Sequence, residues 1–358
     1  MSSMNDANRY GQGIWLDNLS RTLLKEGELA ALISRGLAGV TSNPSIFLNS
    51  ITHSPYYRED LKHLKTTAAR TEDRFEILAI PDIQSACDLF SPVYLASHGE
   101  DGYVSLEVSP DLAYDETGTI AAGKRLYHSV SRDNLLVKVP ATPEGIKAFE
   151  ELIFEGISVN VTLMFSLSHV STVAAAYLRG LQRRLASGGD ISHIKSVSSL
   201  FLSRVDTHVD KKLESIGTAE ALALRGKAAI SLAKLAYQRY LEIFNGPDFS
   251  DLRTAGARPQ YLLWASTGTK NPTYDPLHYV EPLIGPQTVN TMPDETLATF
   301  ERDGKVSLTL TRDVEMARAT YSSIEQNDIN MNAVGEVLQE EGVQKFKDSF
   351  TQLLQFLA

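Results

Sequence analysis

The sequence is poor in the residues that build disulfides, metal clusters and membrane spans. Cys87 is the only cysteine among 358 residues, so the chain can form no internal disulfide and no thiolate zinc cluster. The eight histidines are dispersed without an H-E-x-x-H spacing, and we expect no metal ligand set. No apolar run is long enough to cross a bilayer, and the polar N-terminal residues contain no signal-peptide core. These absences predict a cytoplasmic protein without a membrane partner.

Positive charge is also scarce. Lys and Arg number 34 against 44 Asp and Glu, a formal net charge of -10, which disfavours a nucleic-acid binder held by phosphate contacts. A local cationic pocket is still compatible with this balance. The chain has no internal repeat, low-complexity tract or evident linker, so residues 1–358 are expected to form a single domain.

Short apolar, β-type runs alternate with helix-length segments along most of the chain. Alternation of this kind predicts βα units around a parallel sheet, and a count of eight favours a closed (β/α)8 TIM barrel over an open sheet. No G-x-G-x-x-G follows the first run, which disfavours a dinucleotide-binding fold. The eight predicted strands lie within residues 14–17, 39–44, 103–108, 135–141, 157–163, 194–205, 260–265 and 288–292.

Helices are predicted between these strands and after them. Pro81 is expected to break or bend a helix over residues 74–94, whereas residues 219–244 read as one continuous helix. Residues 294–358 are helix-rich and are predicted to form a C-terminal segment that packs against the barrel exterior.

One lysine interrupts the fourth strand, L-L-V-K-V-P-A-T. An unpaired ammonium inside an apolar sheet is costly, so Lys138 must find a carboxylate, reach the barrel end or lose its proton. A neutral buried amine can attack a ketone and form a Schiff base. The alternative is a structural ion pair with a neighbouring acid.

Other polar residues fall near the carboxyl ends of the predicted strands, where (β/α)8 barrels place their chemistry. Amine, carboxylate, amide and hydroxyl groups together suit Schiff-base chemistry, and a cation at the far end could hold a phosphate. These residues are Asp17, Asn43, Glu107, Asn160, Thr162, Ser199, Arg204 and Ser266.

Each of these residues also has a structural interpretation. Asp17 and Asn43 could be helix N-caps, the latter before Pro44 at a first helical position. Glu107 could simply neutralise Lys138. Thr162 and Ser199 could bond to backbone carbonyls, and Arg204 could pair with Asp206 or Asp210.

Seven segments in order along nearly the whole chain resemble the transaldolase family, and most closely its longer bacterial branch. The segments are W-L-D-N-L-S-R, V-T-S-N-P-S-I-F, S-L-E-V-S-P, V-K-V-P-A-T, S-V-N-V-T-L-M-F-S, S-R-V-D and L-W-A-S-T-G-T-K-N-P. The resemblance implies a barrel of the class I aldolase type that transfers a dihydroxyacetone unit between sugar phosphates, through a lysine Schiff base that needs no cofactor.

By motif position, the resemblance implies a role for each candidate. Lys138 would form the Schiff base and Asp17 would take the proton from the C4 hydroxyl of the donor. Glu107 with Thr162 would position a water that shuttles protons. The hydroxyls of the three-carbon unit would be bound by Asn43, Asn160 and Ser199. The phosphate would be held by Arg204 and Ser266.

The sequence departs from the family pattern at one position. Transaldolases carry a second phosphate-binding arginine two residues after the serine that matches Ser266, whereas this chain has Gly268. Lys270 is the expected substitute, although a lysine lacks the bidentate fork of an arginine.

Three other functions are compatible with such a sequence. An aldolase would release free dihydroxyacetone, a silent barrel would only bind sugar phosphates or a protein, and a pyridoxal phosphate enzyme would also use a lysine imine. No heptad announces a helical interface, so we expect a monomer or a homodimer.

Overall fold

The computed structural model of the protein describes residues 2–64 and 70–358. Residues 1 and 65–69, which the single-domain prediction also covers, lie outside the described part. Eight parallel strands pair in sequential order and close through the pairing of the first with the last. The predicted TIM barrel is therefore confirmed. The strands are β1 (Gln12–Leu16), β2 (Gly39–Val40), β3 (Tyr103–Glu107), β4 (Leu135–Pro140), β5 (Val159–Met164), β6 (Ser196–Phe201), β7 (Tyr261–Ala265) and β8 (Thr288–Met292).

Helices surround the barrel and cover its ends. Every residue of seven strands is buried, which is the pattern of strands covered on both faces. The α-helices of the described residues are α1 (Ser3–Arg9), α2 (Arg21–Lys25), α3 (Glu28–Ser34), α4 (Pro44–His53), α5 (Arg58–Leu64), α6 (Thr71–Ala96), α7 (Glu116–Val130), α8 (Pro143–Phe154), α9 (Leu167–Ala186), α10 (Ser203–Ile216), α11 (Ala219–Leu222), α12 (Ala228–Phe244), α13 (Pro247–Thr254), α14 (Asp294–Asp303), α15 (Val314–Gln326) and α16 (Met331–Leu357). Short 3-10 turns occur at Pro55–Tyr57, Pro110–Leu112 and Glu281–Leu283.

The helices differ from the prediction in two places. Of the two outcomes expected at Pro81, a break does not occur: helix α6 continues through this residue because its buried face packs on the barrel, and such packing supplies most of a helix's stability in a protein. The predicted helix over residues 219–244 is two helices, separated at Gly226, whose φ of 69° lies in the left-handed region. The carboxylate of Asp210 accepts a hydrogen bond from the Gly226 N–H at 2.9 Å, which holds this break.

The last helix occupies a different place from the one predicted. Helix α16 does pack on the barrel, but it contacts the end at which the strands terminate rather than only the exterior. The side-chain amide of Gln339 donates to the carbonyl oxygens of Ala141 and Leu163, at 2.9 and 3.0 Å, where β4 and β5 end. No helix within the described ranges is both long and apolar enough to cross a membrane.

Candidate active site

A cavity of about 180 Å³ opens at the carboxyl ends of the strands. The parallel barrel brings all eight strand ends to one face, so residues far apart in sequence meet there. The structure places eight of the ten predicted site residues in the lining: Asp17, Asn43, Lys138, Thr162, Ser199, Arg204, Ser266 and Lys270. Glu107 and Asn160 lie outside this lining.

Glu107 and Lys138 are register partners on β3 and β4. Their side chains are each about 5% exposed, and Nζ of Lys138 lies 3.3 Å from Oε2 of Glu107. The ammonium also donates to the backbone oxygen of Ser42 at 3.1 Å. Burial raises the pKa of Glu107, and the charge of Lys138 opposes that rise. Lys138, the predicted nucleophile, therefore also forms the ion pair that was the alternative prediction for it.

Two buried side-chain oxygen atoms of the predicted site residues make no hydrogen bond of good geometry within the described residues, although one of them is the Glu107 oxygen 3.3 Å from Nζ of Lys138. They are Oε2 of Glu107 and Oγ1 of Thr162. Buried polar atoms are seldom left unsatisfied, and an exception in a cleft suggests a water or a ligand atom in the working enzyme. Thr162 on β5 is the register partner of Pro140 on β4, and Glu107 lies on β3. Both oxygens therefore belong to strands that flank β4.

Asp17 follows β1 directly and its backbone N–H continues the pairing with β8, through the carbonyl of Met292 at 2.8 Å. Its carboxylate accepts a hydrogen bond from Oγ1 of Thr41 at 2.7 Å. Burial raises the pKa of Asp17, whereas Lys138 and the Thr41 hydroxyl lower it. The N-cap of the following helix is Ser20, so the capping interpretation of Asp17 does not hold.

Asn43 has both of the roles considered for it. Its side-chain oxygen accepts from the Ile46 N–H at 3.0 Å and caps α4, with Pro44 in the first turn. The same residue lines the cavity. Capping fixes the side chain, so its amide nitrogen is presented from a rigid position.

Asn160 lies beneath the cavity rather than on its wall. Its amide nitrogen donates to Oγ of Ser105 at 3.1 Å, and its carbonyl oxygen accepts from Oγ of Ser199 at 2.7 Å. Ser199 thus stands between Asn160 and the cavity. The structural interpretation of Ser199 as a donor to backbone does not hold, since its partner is a side-chain amide.

The cavity lining also contains further cations besides Lys138. Arg204 and Lys270 line the cavity together with Ser266, whose φ of 55° is strained for a residue other than glycine. The hydroxyls of Ser203 and Ser266 are 2.8 Å apart. Arg204 pairs with neither candidate acid; Asp206 and Asp210 accept instead from tyrosine hydroxyls and backbone N–H groups, those of Tyr279, Tyr274, Ala229 and Gly226.

Sequence reasoning missed two lining residues from α16, Lys345 and Phe346. The Phe346 ring centroid lies 5.8 Å from Nζ of Lys138. The one signal for them was Gly342 in the middle of a long helix, because such a glycine often marks a close approach. Among the residues that the structure describes, no three His, Cys, Asp or Glu side chains are grouped as a metal site.

A model of the Transaldolase/Fructose-6-phosphate aldolase family matches residues 14–357. The chain belongs to this family. The transaldolase of Thiobacillus denitrificans is 54% identical over 355 residues, which are 99% of each chain. Transaldolases of Neisseria gonorrhoeae and an Arthrobacter species are 43% and 46% identical, over 99% and 96% of this chain and 99% and 93% of theirs. The resemblance inferred from the seven segments is confirmed at the level of the family.

Membership in the transaldolase family gives the site a context. The relatives that match over nearly the full length are named transaldolases, and the family has the closed barrel fold found here.

Proposed function

We propose that the protein transfers a dihydroxyacetone unit from sedoheptulose 7-phosphate to glyceraldehyde 3-phosphate, giving erythrose 4-phosphate and fructose 6-phosphate. This is a step of the non-oxidative pentose phosphate pathway, and we expect the enzyme to carry it out in the cytoplasm. The observation that carries the proposal is a buried lysine, Lys138, in the lining of a cavity that Arg204 and Lys270 also line. Such a cavity suits a sugar with a carbonyl at one end and a phosphate at the other.

Lys138 is the proposed nucleophile. Its amine attacks C2 of the ketose and loses water to give an iminium, which draws in the electron pair of the breaking C3–C4 bond. Glu107, 3.3 Å from the amine, can take and return the protons of these steps. We propose that Glu107 and Thr162 position the water that carries these protons, since Oε2 of Glu107 and Oγ1 of Thr162 make no hydrogen bond of good geometry within the described residues.

Asp17 is the proposed base for cleavage. It takes the proton from the C4 hydroxyl as the C3–C4 bond breaks, and the aldehyde product leaves. The nucleophilic three-carbon unit stays on Lys138 until an acceptor aldehyde arrives, when Asp17 returns the proton to the new hydroxyl. The raised pKa of Asp17 suits a group that must both accept and donate a proton.

The remaining residues are proposed to bind substrate. Neutral amide and hydroxyl groups from Asn43 and Ser199, with Asn160 behind Ser199, are suitable neighbours for an intermediate that must not be protonated. Arg204, Ser266 and Lys270 are proposed to hold the phosphate.

Borohydride trapping with fructose 6-phosphate, and without an acceptor, tests this function. We expect a reduced three-carbon adduct on Lys138 in a mass map of the peptides. An adduct on another lysine would disprove the assignment, and folded protein that binds the sugar without any adduct would indicate a silent binding barrel.

The related aldolase reaction is the second candidate, and the family name includes it. The same imine serves both reactions, so product analysis distinguishes them. Accumulation of free dihydroxyacetone without acceptor, at the rate of the transfer reaction, would favour the aldolase.

A further inference from the structure

The C-terminal helix α16 reaches the cavity at a place fixed by its own backbone. A Cβ at Gly335 would lie 2.7 Å from Cβ of Ser166, and one at Gly342 would lie 2.9 Å from Cδ2 of Leu163. Gln339, between the two glycines on the same face, bonds to the carbonyl oxygens at the ends of β4 and β5. A helix held this closely places the residues of its next turn accurately.

That next turn contains Lys345, another positively charged residue of the cavity lining. Lys345, Arg204 and Lys270 all line the cavity. A Cβ at Gly342 would lie 3.4 Å from Nη1 of Arg204, so the guanidinium is within one helical turn of Lys345. The three positively charged side chains thus come from α10, the loop after β7, and α16.

None of these three cations has a carboxylate within 4.0 Å among the described residues. The negative charges that act on Arg204 are those of Asp17 and Glu341. The charge of Arg204, with desolvation and Lys270, lowers the pKa of Lys345. Three cations that line one cavity without a direct ion-pair partner are the arrangement expected of a site for a multiply charged anion.

The position that would hold a family arginine is confined in this chain. A Cβ at Gly268 would lie 3.3 Å from both Cγ of Pro293 and Oγ1 of Thr296. A side chain there would require Pro293 and Thr296 to shift by a few tenths of an ångström, which favours a cation supplied from elsewhere.

We propose that Lys345 binds the substrate phosphate beside Arg204. Lys345 then supplies the second positive charge that is missing because Gly268 stands in place of the family arginine. The inference rests on the proposed function, because it assumes a phosphorylated substrate with its carbonyl at Lys138. Lys270 lines the same cavity. The C-terminal helix is therefore part of the binding site and determines the preference for phosphorylated sugars.

The test compares Lys345→Gln with Lys347→Gln, a matched change two residues away on the same helix. Lys347 lies 5.6 Å from the Tyr114 ring and does not line the cavity. We expect Lys345→Gln to raise the KM for fructose 6-phosphate by about tenfold or more, the effect of losing one charge-assisted hydrogen bond, with kcat changed far less. KM for unphosphorylated fructose should not change. Lys345→Arg should restore most of the affinity.

Binding of inorganic phosphate, measured by calorimetry, gives a readout that is independent of turnover. Lys345→Gln should weaken it, whereas Lys347→Gln should not. If Lys345→Gln leaves both this affinity and the KM for fructose 6-phosphate unchanged while Lys270→Gln alters them, the proposal is wrong and Lys270 is the substitute. If the wild type binds phosphate through Lys345 but converts no sugar phosphate, the proposed function fails and the anion site stands.

Discussion

Lys138 and Glu107 face each other from neighbouring parallel strands, with Nζ and Oε2 3.3 Å apart and both side chains almost fully buried. The pair neutralises a charge that the barrel interior could not otherwise accept, and it places a proton acceptor beside the proposed nucleophile. This one contact is therefore expected to contribute both to the free energy of unfolding and to the proposed chemistry.

Removing both partners of this pair should cost less stability than the sum of the two single changes. Lys138→Met leaves the Glu107 carboxylate buried without a cation, and Glu107→Gln leaves the ammonium without an anion. We expect each single change to lower the free energy of unfolding by about 3–5 kcal/mol, as for other broken buried pairs. The double variant should be destabilised by clearly less than the sum. Urea unfolding at neutral pH measures this, and additive losses would mean that the two groups do not interact.

Asp17→Asn should separate imine formation from carbon–carbon cleavage. The amide keeps the size of the side chain but cannot accept the C4 hydroxyl proton, so turnover should fall by about 10²–10⁴-fold. Lys138 should still react with the ketose. Borohydride should then trap the whole six-carbon sugar on Lys138 rather than the three-carbon unit. A three-carbon adduct formed at the wild-type rate would contradict the role of Asp17.

Thr41→Val should move the acid limb of the pH–rate profile. The Thr41 hydroxyl donates to the Asp17 carboxylate at 2.7 Å and thereby favours its charged form. Without this donor the pKa of Asp17, already raised by burial, should rise further. Because Asp17 must be ionised to act as a base, kcat/KM should begin to fall at a higher pH than in the wild type. Thr41→Ser keeps the hydroxyl and should keep the profile; a limb that stays in place in Thr41→Val would exclude Asp17 as the titrating group.

Gln339→Leu should loosen α16 from the barrel. The substitution leaves the carbonyl oxygens of Ala141 and Leu163 without their donor, and each unsatisfied buried group costs about 1–3 kcal/mol. We expect a lower melting temperature and a higher KM for phosphorylated substrates, since Lys345 lies on the same helix. Gln344→Leu, at an exposed position of α16, is the control. Equal melting temperatures and equal KM values for the two variants would rule out this anchoring role.

Much of the fold could be predicted because the strands carry their own signal. The eighth strand was predicted over residues 288–292 and occurs at Thr288–Met292, and the fourth differs by one residue at its end. The second strand is shorter than predicted because Asn43 and Pro44 already begin a helix. Helix α10 was missed because it begins after Leu202, which supplies no side-chain cap, so no capping residue marks its start.

The barrel fold, and the polar residues at the carboxyl ends of its strands, could be predicted from local sequence patterns alone. Parallel strands in a closed barrel deliver every carboxyl end to one face, so local patterns and chain order were sufficient to bring Asp17, Lys138 and Arg204 together. Two features depend on tertiary packing and became visible only in the structure: Asn160 lies beneath Ser199, and Lys345 lines the cavity from a helix near the end of the chain. Where a helix docks depends on the surfaces that meet, here two glycines and Gln339 against the ends of β4 and β5, and no local pattern in the sequence encodes that match.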